Sequence, residues 1–113
     1  MKIMTILGTR PEIIRLAKII KELDEHCEHI LVHTGQNYDY NLNRIFFKDL
    51  GLRLPNYNLK SKSLNIQDQI AKIISSTGKV MDKENPDAIL ILGDTNSGLS
   101  AIAAKRKKIP IFH

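Results

Sequence analysis

Strand-like and helix-like segments alternate along the whole chain, and this alternation limits its fold more than any other feature. The apolar runs that predict strands are residues 2–7, 29–34, 57–60, 88–92 and 109–112. The segments with helical spacing of apolar residues are 11–24, 40–50, 66–84 and 97–106. Such alternation predicts an α/β fold with a doubly wound parallel sheet, helices on both faces and right-handed crossovers.

The apolar residues of the predicted helices define the faces that we expect to be buried. In the second helix these are Leu42, Ile45, Phe46 and Leu50, and in the third they are Ile66, Ile70, Ile73, Ile74 and Met81. Pro11 suits the first turn of the first helix, and Gly51 suits the end of the second. Gly78 lies inside the third helix and costs it about 1 kcal/mol relative to alanine.

The usual strand order of such folds, 3-2-1-4-5, makes the first and fourth strands neighbours. Ligands bind in the crevice at the carboxyl ends of those strands, where the chain leaves in opposite directions. The two loops predicted to line this crevice are "GTRPE", residues 8–12, and "GDTNS", residues 93–97. The aliphatic run 88–92 would then be a buried strand whose end presents Asp94 to the crevice.

The first loop combines a glycine, a helix-starting proline and Arg10. The start of a helix attracts anions, and a guanidinium can bind two oxygens at once, so a phosphate or pyrophosphate suits this loop. The alternative is that Arg10 forms a structural ion pair with Glu12 or Asp94. The loop contains neither the three-glycine dinucleotide motif nor a Walker motif, so NAD and ATP are not expected as ligands.

The second loop allows two interpretations of its carboxylate. Asp94 is either the N-cap of the next helix or a functional group in a partly desolvated site, where it would act as a general acid/base or orient a sugar hydroxyl. Thr95 either donates a hydrogen bond to a ligand or belongs to the same cap. His33 and Gln36 lie at the end of the second predicted strand and are expected at the same edge of the sheet.

The net charge and the composition limit the classes of ligand and partner that we expect for this chain. The chain has 17 Lys and Arg against 12 Asp and Glu, a net charge of +5, which favours anionic ligands. With three Tyr, three Phe and no Trp, the sequence shows no interleaving of aromatic and basic residues of the kind that stacks nucleic-acid bases. Nucleic acid is therefore not expected as a partner. The spacing of His26, Cys27 and His29 matches no standard zinc site. The lone cysteine and the absence of a membrane-length apolar run lead us to expect a cytoplasmic protein with no membrane partner.

Four segments resemble the non-hydrolysing UDP-N-acetylglucosamine 2-epimerase family. They are "ILGTRPEIIRLAKII", "VHTGQNYDYNLNRIFFKDLGL", "NPDAILILGDTNS" and "KIPIFH", in the order in which that family carries them. Within that family, the residues of these motifs are most similar to those of the capsule and O-antigen branch, whose members epimerise UDP-2-acetamido-2,6-dideoxy sugars. The resemblance implies an isomerase of surface polysaccharide synthesis, which inverts C2 of the sugar by eliminating UDP and adding it back.

The resemblance also implies an architecture and residue roles. The family has a two-lobed glycosyltransferase-B type fold, forms homodimers, binds the UDP-sugar between its lobes and uses no metal or nicotinamide. Arg10 matches an arginine near the diphosphate, and Asp94 matches an aspartate of the acid/base set. Arg15 stands where many members have lysine, and Gln36 matches a ligand loop. Asn37 and the two residues after it replace the sequence of members with an allosteric UDP-sugar site, so we expect no allosteric activation.

The resemblance finally implies that more of the enzyme follows this chain. In the family the histidine matching His113 opens a segment with a further catalytic glutamate, and other acid/base groups and most of the uridine pocket lie in the second lobe. We therefore expect residues 1–113 to form an incomplete N-terminal Rossmann-like lobe without its C-terminal lobe, inactive by itself. The alternative is a non-catalytic remnant or interaction module of the same fold.

Overall fold

The sheet of this chain is entirely parallel. In a computed structural model, residues 1–35, 40–61, 65–92 and 96–112 are described. The elements are β1 (Lys2–Leu7), α1 (Arg10–His26), β2 (Glu28–His33), α2 (Tyr40–Asp49), β3 (Tyr57–Asn58), α3 (Ile66–Glu84), β4 (Ala88–Ile91), a 3-10 turn (Asn96–Leu99), α4 (Ser100–Arg106) and β5 (Ile111–Phe112). The strand order is β3-β2-β1-β4-β5, which confirms the predicted α/β fold and its order.

The central strand β1 pairs with a neighbouring strand on each side. It runs alongside β2 from Lys2, opposite Glu28, to Leu7, opposite His33. On its other side it pairs with β4, where Ile6 lies opposite Ile91. Because all these strands are parallel, the carboxyl ends of β1, β2 and β4 lie at one edge, as the sequence predicts.

Each face of the sheet is covered by helices over its own apolar cluster. The cluster under α1 and α2 contains Leu7, Ile13, Leu16, Ile20, Leu31, Phe47 and Leu52. The cluster under α3 and α4 contains Met4, Ile6, Ile30, Val32, Val80, Met81, Ile89, Ile91, Ala103 and Ala104. Adjacent residues of β1, such as Ile6 and Leu7, point to opposite faces, so the strand is buried on both sides. This explains why its sequence is continuously apolar rather than alternating.

Two predictions about helix faces are wrong. Ile45 was expected in the core but is 56% exposed, whereas Phe47 is only 1% exposed. Residues two apart on a helix point about 200° from each other, so burying Phe47 turns Ile45 outward. Ile66 is also 56% exposed, because it is the first residue of α3 and the buried stripe of this helix begins only at Ile73.

Some element boundaries also differ from those predicted. The strand β2 ends at His33 rather than at residue 34, and β3 contains only two residues. The predicted fourth helix starts as the 3-10 turn before α4 begins at Ser100. None of the helices in the described part of the chain combines the length and the apolarity needed to cross a bilayer.

A buried polar network links β1, β2 and the end of α1. The two ring nitrogens of His29 each lie 2.7 Å from a partner, Nδ1 from Asp24 Oδ1 and Nε2 from Thr5 Oγ1. The Asp24 carboxylate accepts a hydrogen bond from Nδ1–H. In the neutral ring Nε2 therefore accepts a hydrogen bond from the Thr5 hydroxyl. Burial lowers the pKa of His29, although the carboxylate opposes that shift. The network therefore satisfies a polar residue that would otherwise be costly to bury.

Gly78 is the one helical glycine of α3, and its replacement by alanine is expected to stabilise the fold. A Cβ at this position would lie 3.7 Å from the Cβ of Ala103 and 3.8 Å from Lys107 Cε, both ordinary contact distances. Alanine also gains about 1 kcal/mol of helix propensity over glycine. We expect Gly78→Ala to raise the midpoint of thermal unfolding by several degrees, measured by circular dichroism.

Gly78→Leu is the matched control for this substitution. Its longer side chain must displace Ala103 and α4, so we expect the unfolding midpoint to fall. If Gly78→Ala also lowered the midpoint, α3 and α4 would be too close for a methyl group, and the proposed fit would be wrong.

Candidate functional site

Three chain segments leave the sheet side by side at its carboxyl edge. They continue the parallel hydrogen bonding beyond the strands themselves. The amide of Thr34 donates to Leu7 O at 2.8 Å, that of Leu59 donates to His33 O at 2.9 Å, and that of Ser61 donates to Thr34 O at 2.9 Å. The exits of β1, β2 and β3 are therefore fixed to one another by backbone contacts.

The loop after β1 is organised by Glu12, which is 2% exposed. Its Oε1 accepts hydrogen bonds of 3.1 Å from the amides of Gly8 and Thr9 and from the Thr9 hydroxyl. Thr9 is the N-cap of α1, and a glutamate three residues later that binds the N-cap amide forms half of a capping box. Sequence reasoning offered Glu12 only as a partner for Arg10. The capping-box spacing from Thr9 would have indicated this role.

This arrangement changes the expected anion site. The sequence analysis placed an anion at the start of α1, and the amides of Gly8 and Thr9, which come just before this helix, already donate to Glu12. A carboxylate at a helix start also offsets the positive end of the helix dipole. Arg10 is therefore the main described source of positive charge in this loop.

Arg10 is exposed, and its guanidinium carbon lies 5.7 Å from the ring centre of Phe46 on α2. A cation at this distance from an aromatic ring is held by it without losing access to water. Arg15 is also exposed, but it follows Arg10 by five residues on α1. Helical geometry separates their directions by about 140°, so α1 does not present both from one face.

The remaining predicted site residues, Gln36, Asp94 and Thr95, lie outside the described residues. The structure therefore leaves their roles as predictions. The strand adjacency that these roles require is present, since Ile6 of β1 pairs with Ile91 of β4, three residues before Asp94. The neighbouring strands β1 and β4 are followed in the sequence by the two loops "GTRPE" and "GDTNS".

His33 is a buried imidazole at the carboxyl end of β2. It is 1% exposed, and its Nδ1 accepts a 2.9 Å hydrogen bond from the amide of Gly35. The proton of the neutral ring is therefore on Nε2, which has no partner among the described residues. Its ring meets that of Phe47 edge-on, with centres 6.1 Å apart. Burial lowers the pKa of His33 to about 4, so the ring is neutral at pH 7.

The exits of β2 and β3 approach each other closely at Gly35. This residue has φ +74°, and a Cβ there would lie 2.6 Å from Lys60 N. Beside it, Ser61 is fully buried and its hydroxyl has no partner within the described ranges. Sequence reasoning missed Ser61, because nothing in its local pattern distinguishes a buried serine from one in a polar linker.

The described residues of this edge are polar but offer few groups for ion coordination. Across the described ranges, no set of three or more His, Cys, Asp or Glu side chains is placed to hold a metal ion. The edge instead offers one exposed guanidinium, Arg10, beside backbone that is fixed by Glu12. That combination can bind an anionic oxygen.

This chain is similar in sequence and fold to proteins described as UDP-N-acetylglucosamine 2-epimerases. The family model described as UDP-N-acetylglucosamine 2-epimerase matches residues 21–113. A UDP-N-acetylglucosamine 2-epimerase homologue from Methanococcus maripaludis is 42% identical over 100% of this chain and 32% of its own length. The chain thus spans about a third of such relatives.

Solved structures give the same result. The UDP-N-acetylglucosamine 2-epimerase of Rickettsia bellii superposes with a TM-score of 0.91 at 57% identity, over 100% of this chain and 30% of that one. The Methanocaldococcus jannaschii enzyme in complex with UDP-GlcNAc and UDP has a TM-score of 0.92 at 41% identity, over 100% and 32%. These likenesses confirm the predicted Rossmann-like lobe of a glycosyltransferase-B type fold.

His33 predicts a loss of stability in acid. Its pKa rises from about 4 in the folded chain to 6.5 when unfolded, so between these values the unfolded state binds more protons. The stability that the neutral ring provides is complete above pH 6.5 and falls by up to about 3 kcal/mol as the pH drops to 4. We expect urea unfolding of His33→Asn, whose side-chain oxygen can still accept from Gly35, to show a weaker pH dependence.

The control for this prediction is His26→Gln, because the His26 side chain is 70% exposed. This variant should keep the full acid dependence of the unmodified chain. The His29 pKa is lowered in the same direction, so His33→Asn should keep part of the slope. Equal slopes for His33→Asn and the unmodified chain would contradict the assignment.

Proposed function

Because this chain belongs to the UDP-N-acetylglucosamine 2-epimerase family, we propose that it forms part of an isomerase that inverts C2 of a UDP-linked 2-acetamido sugar. The observation that carries the proposal is the match to relatives of that name along the whole chain, at 57% identity in one solved structure. The parallel neighbours β1 and β4, which lead into the loops "GTRPE" and "GDTNS", support it.

The proposed reaction has two steps that balance without a redox cofactor. A base removes the proton from C2 while the bond from C1 to the diphosphate oxygen breaks, which leaves a glycal and UDP. An acid then returns a proton to the opposite face of C2, and UDP adds back to C1. The first step concentrates negative charge on the leaving diphosphate, so a preorganised cation at that position lowers the barrier.

We assign the chain's residues to this reaction as follows. Arg10 binds the diphosphate, because its guanidinium is exposed at the carboxyl edge and is supported by Phe46. Asp94 is one group of the acid/base set. Arg15, Thr95 and Gln36 are assigned to substrate binding, with Arg15 on a different side of α1 from Arg10.

We further propose that residues 1–113 contribute to the first lobe of a two-lobed enzyme. The UDP-sugar would then lie between this lobe and a second one that supplies the other acid/base groups and most of the uridine pocket. On this proposal the 113-residue chain alone does not turn over substrate. The complete protein is a homodimer of the cytoplasm that supplies a sugar for surface polysaccharide, and the 2,6-dideoxy-sugar branch remains a prediction.

The test of this function is exchange of the C2 proton. The chain is mixed with a separately expressed second lobe of the Rickettsia bellii relative, and UDP-GlcNAc is incubated with both in deuterated water. We expect deuterium at C2 and the epimeric UDP-sugar by NMR from the mixture, and neither from the chain alone. A UDP-2-acetamido-2,6-dideoxy sugar assayed in parallel distinguishes the substrate branch.

A mixture that forms a complex but exchanges no proton on either sugar would contradict the isomerase proposal. It would favour the alternative, a non-catalytic module that keeps the fold. Formation of the complex is followed separately, by sedimentation of the mixture, so that failed assembly is not mistaken for failed chemistry.

In the active assembly, substitution of Arg10 should change the affinity for UDP, and substitution of Asp94 should change kcat. Removing a charged hydrogen-bond donor costs about 1.5–3 kcal/mol, so we expect Arg10→Ala to weaken UDP affinity by roughly 10- to 100-fold in calorimetry. Losing an acid/base group should lower kcat by about 10²- to 10⁴-fold in Asp94→Asn with little change in UDP affinity. Arg106→Ala, at the exposed end of α4, is the control for general charge effects.

Unchanged UDP affinity in Arg10→Ala would return Arg10 to a structural role beside Phe46. Unchanged turnover in Asp94→Asn would leave Asp94 as a helix cap only.

A further inference from the structure

Two different parts of the fold contact Arg10 and its loop. The backbone just before Arg10 is fixed by Glu12, which accepts hydrogen bonds from the amides of Gly8 and Thr9. The guanidinium at the other end of the side chain lies 5.7 Å from the ring centre of Phe46, a residue of α2. Glu12 thus places the Arg10 backbone, and Phe46 contacts the charged end of its side chain.

The ring of Phe46 is not explained by the apolar core alone. Phe47, the next residue, fills the core and is 1% exposed. Phe46 is only half-buried and packs against the cluster under α1 and α2 from its side. An aliphatic side chain could make the same apolar contact, but it lacks the negative ring face that attracts a cation. The contact with Arg10 therefore accounts for an aromatic residue at position 46.

The helix that carries Phe46 is joined to the end of β2. The ring of Phe47 meets that of His33 edge-on, with centres 6.1 Å apart. The His33 ring is in turn oriented by the amide of Gly35, which donates to its Nδ1 at 2.9 Å. Just after the helix, the amide of Leu52 donates to Phe47 O at 2.9 Å. These contacts connect the position of the Phe46 ring to the carboxyl edge of the sheet.

Contact with a ring changes how an arginine binds an anion. An exposed arginine has many rotamers, and it loses this freedom when a ligand orders its side chain. A ring that already holds the guanidinium reduces that loss. A guanidinium stacks on an aromatic ring by its face and donates hydrogen bonds from its edge, so the same group can still bind two phosphate oxygens.

We propose that Phe46 is a positioning residue for the diphosphate, because it orients the Arg10 guanidinium and acts on the substrate only through Arg10. This role rests on the proposed function for the part that Arg10 plays, and it adds the group on which the orientation of Arg10 depends. A purely structural Phe46 would support α2, but the order of the Arg10 side chain would not depend on the ring.

The first test needs no ligand and uses the 113-residue chain. Phe46→Leu removes the ring, and Phe46→Tyr keeps one. Ile45→Ala is the matched control, because it removes as many carbon atoms as Phe46→Leu from the neighbouring position, which is 56% exposed. Nitrogen-15 relaxation of the Arg10 Nε–H group measures the order of the guanidinium. We expect this order to fall in Phe46→Leu and to be kept in Phe46→Tyr and Ile45→Ala.

The second test is a double-mutant cycle between Phe46 and Arg10. The affinity for UDP is measured by calorimetry in the active assembly, and the affinity for inorganic pyrophosphate is measured by NMR titration of the chain alone. We expect Phe46→Leu to weaken binding by roughly 2- to 12-fold, the effect of ordering one long side chain. Phe46→Tyr and Ile45→Ala should keep the affinity of the unmodified chain. When Arg10 is already alanine, Phe46→Leu should weaken binding no further.

Two results would overturn this role: an Arg10 side chain that keeps its order in Phe46→Leu, or a Phe46→Leu effect on affinity that is equally large with and without the Arg10 side chain. Circular dichroism shows whether each variant folds. If Phe46→Leu does not, Phe46→Met replaces it, since methionine adapts to irregular apolar space and has no ring. A failure of the proposed function is distinct, because Arg10→Ala alone would then leave the affinity unchanged.

Discussion

The parallel pairing of β1 with both β2 and β4 is the constraint on which the rest of the structure depends. It places the strand ends at Leu7, His33 and Ile91 in one row and orients the chain exits toward the same edge. The pairing is stable because β1 is apolar on both faces and is covered by helices on each side. Chain segments that are distant in sequence are therefore brought to one edge of the sheet.

The same constraint explains why the site edge carries buried polar groups. Where strands end, backbone groups lose their ladder partners and must find others. Glu12 satisfies two such amides after β1, and His33 accepts one after β2. These side chains replace the missing strand contacts for the described backbone groups at this edge.

The sequence predicted the order of elements, the strand order and the edge of the sheet at which the strands end together. Those features depend on apolar periodicity and on glycine and proline at element ends, which are local in the chain. The orientation of α2 was not predictable in this way, because Ile45, Phe46 and Phe47 are all apolar and only the shape of the core selects Phe47. The burial of Ser61 and the role of Glu12 likewise depend on which backbone groups the fold leaves unpaired.

The electrostatics of the described part of this edge follow from how the buried Glu12 and His33 are accommodated. His33 is kept neutral by burial, and its ring adds no charge at neutral pH. Glu12 is held by three donors, and its position at the start of α1 offsets the helix dipole there. In the described part of the loop after β1, the exposed guanidinium of Arg10 is then the group that supplies positive charge. For the proposed elimination, Arg10 would be a point of attraction for the leaving diphosphate.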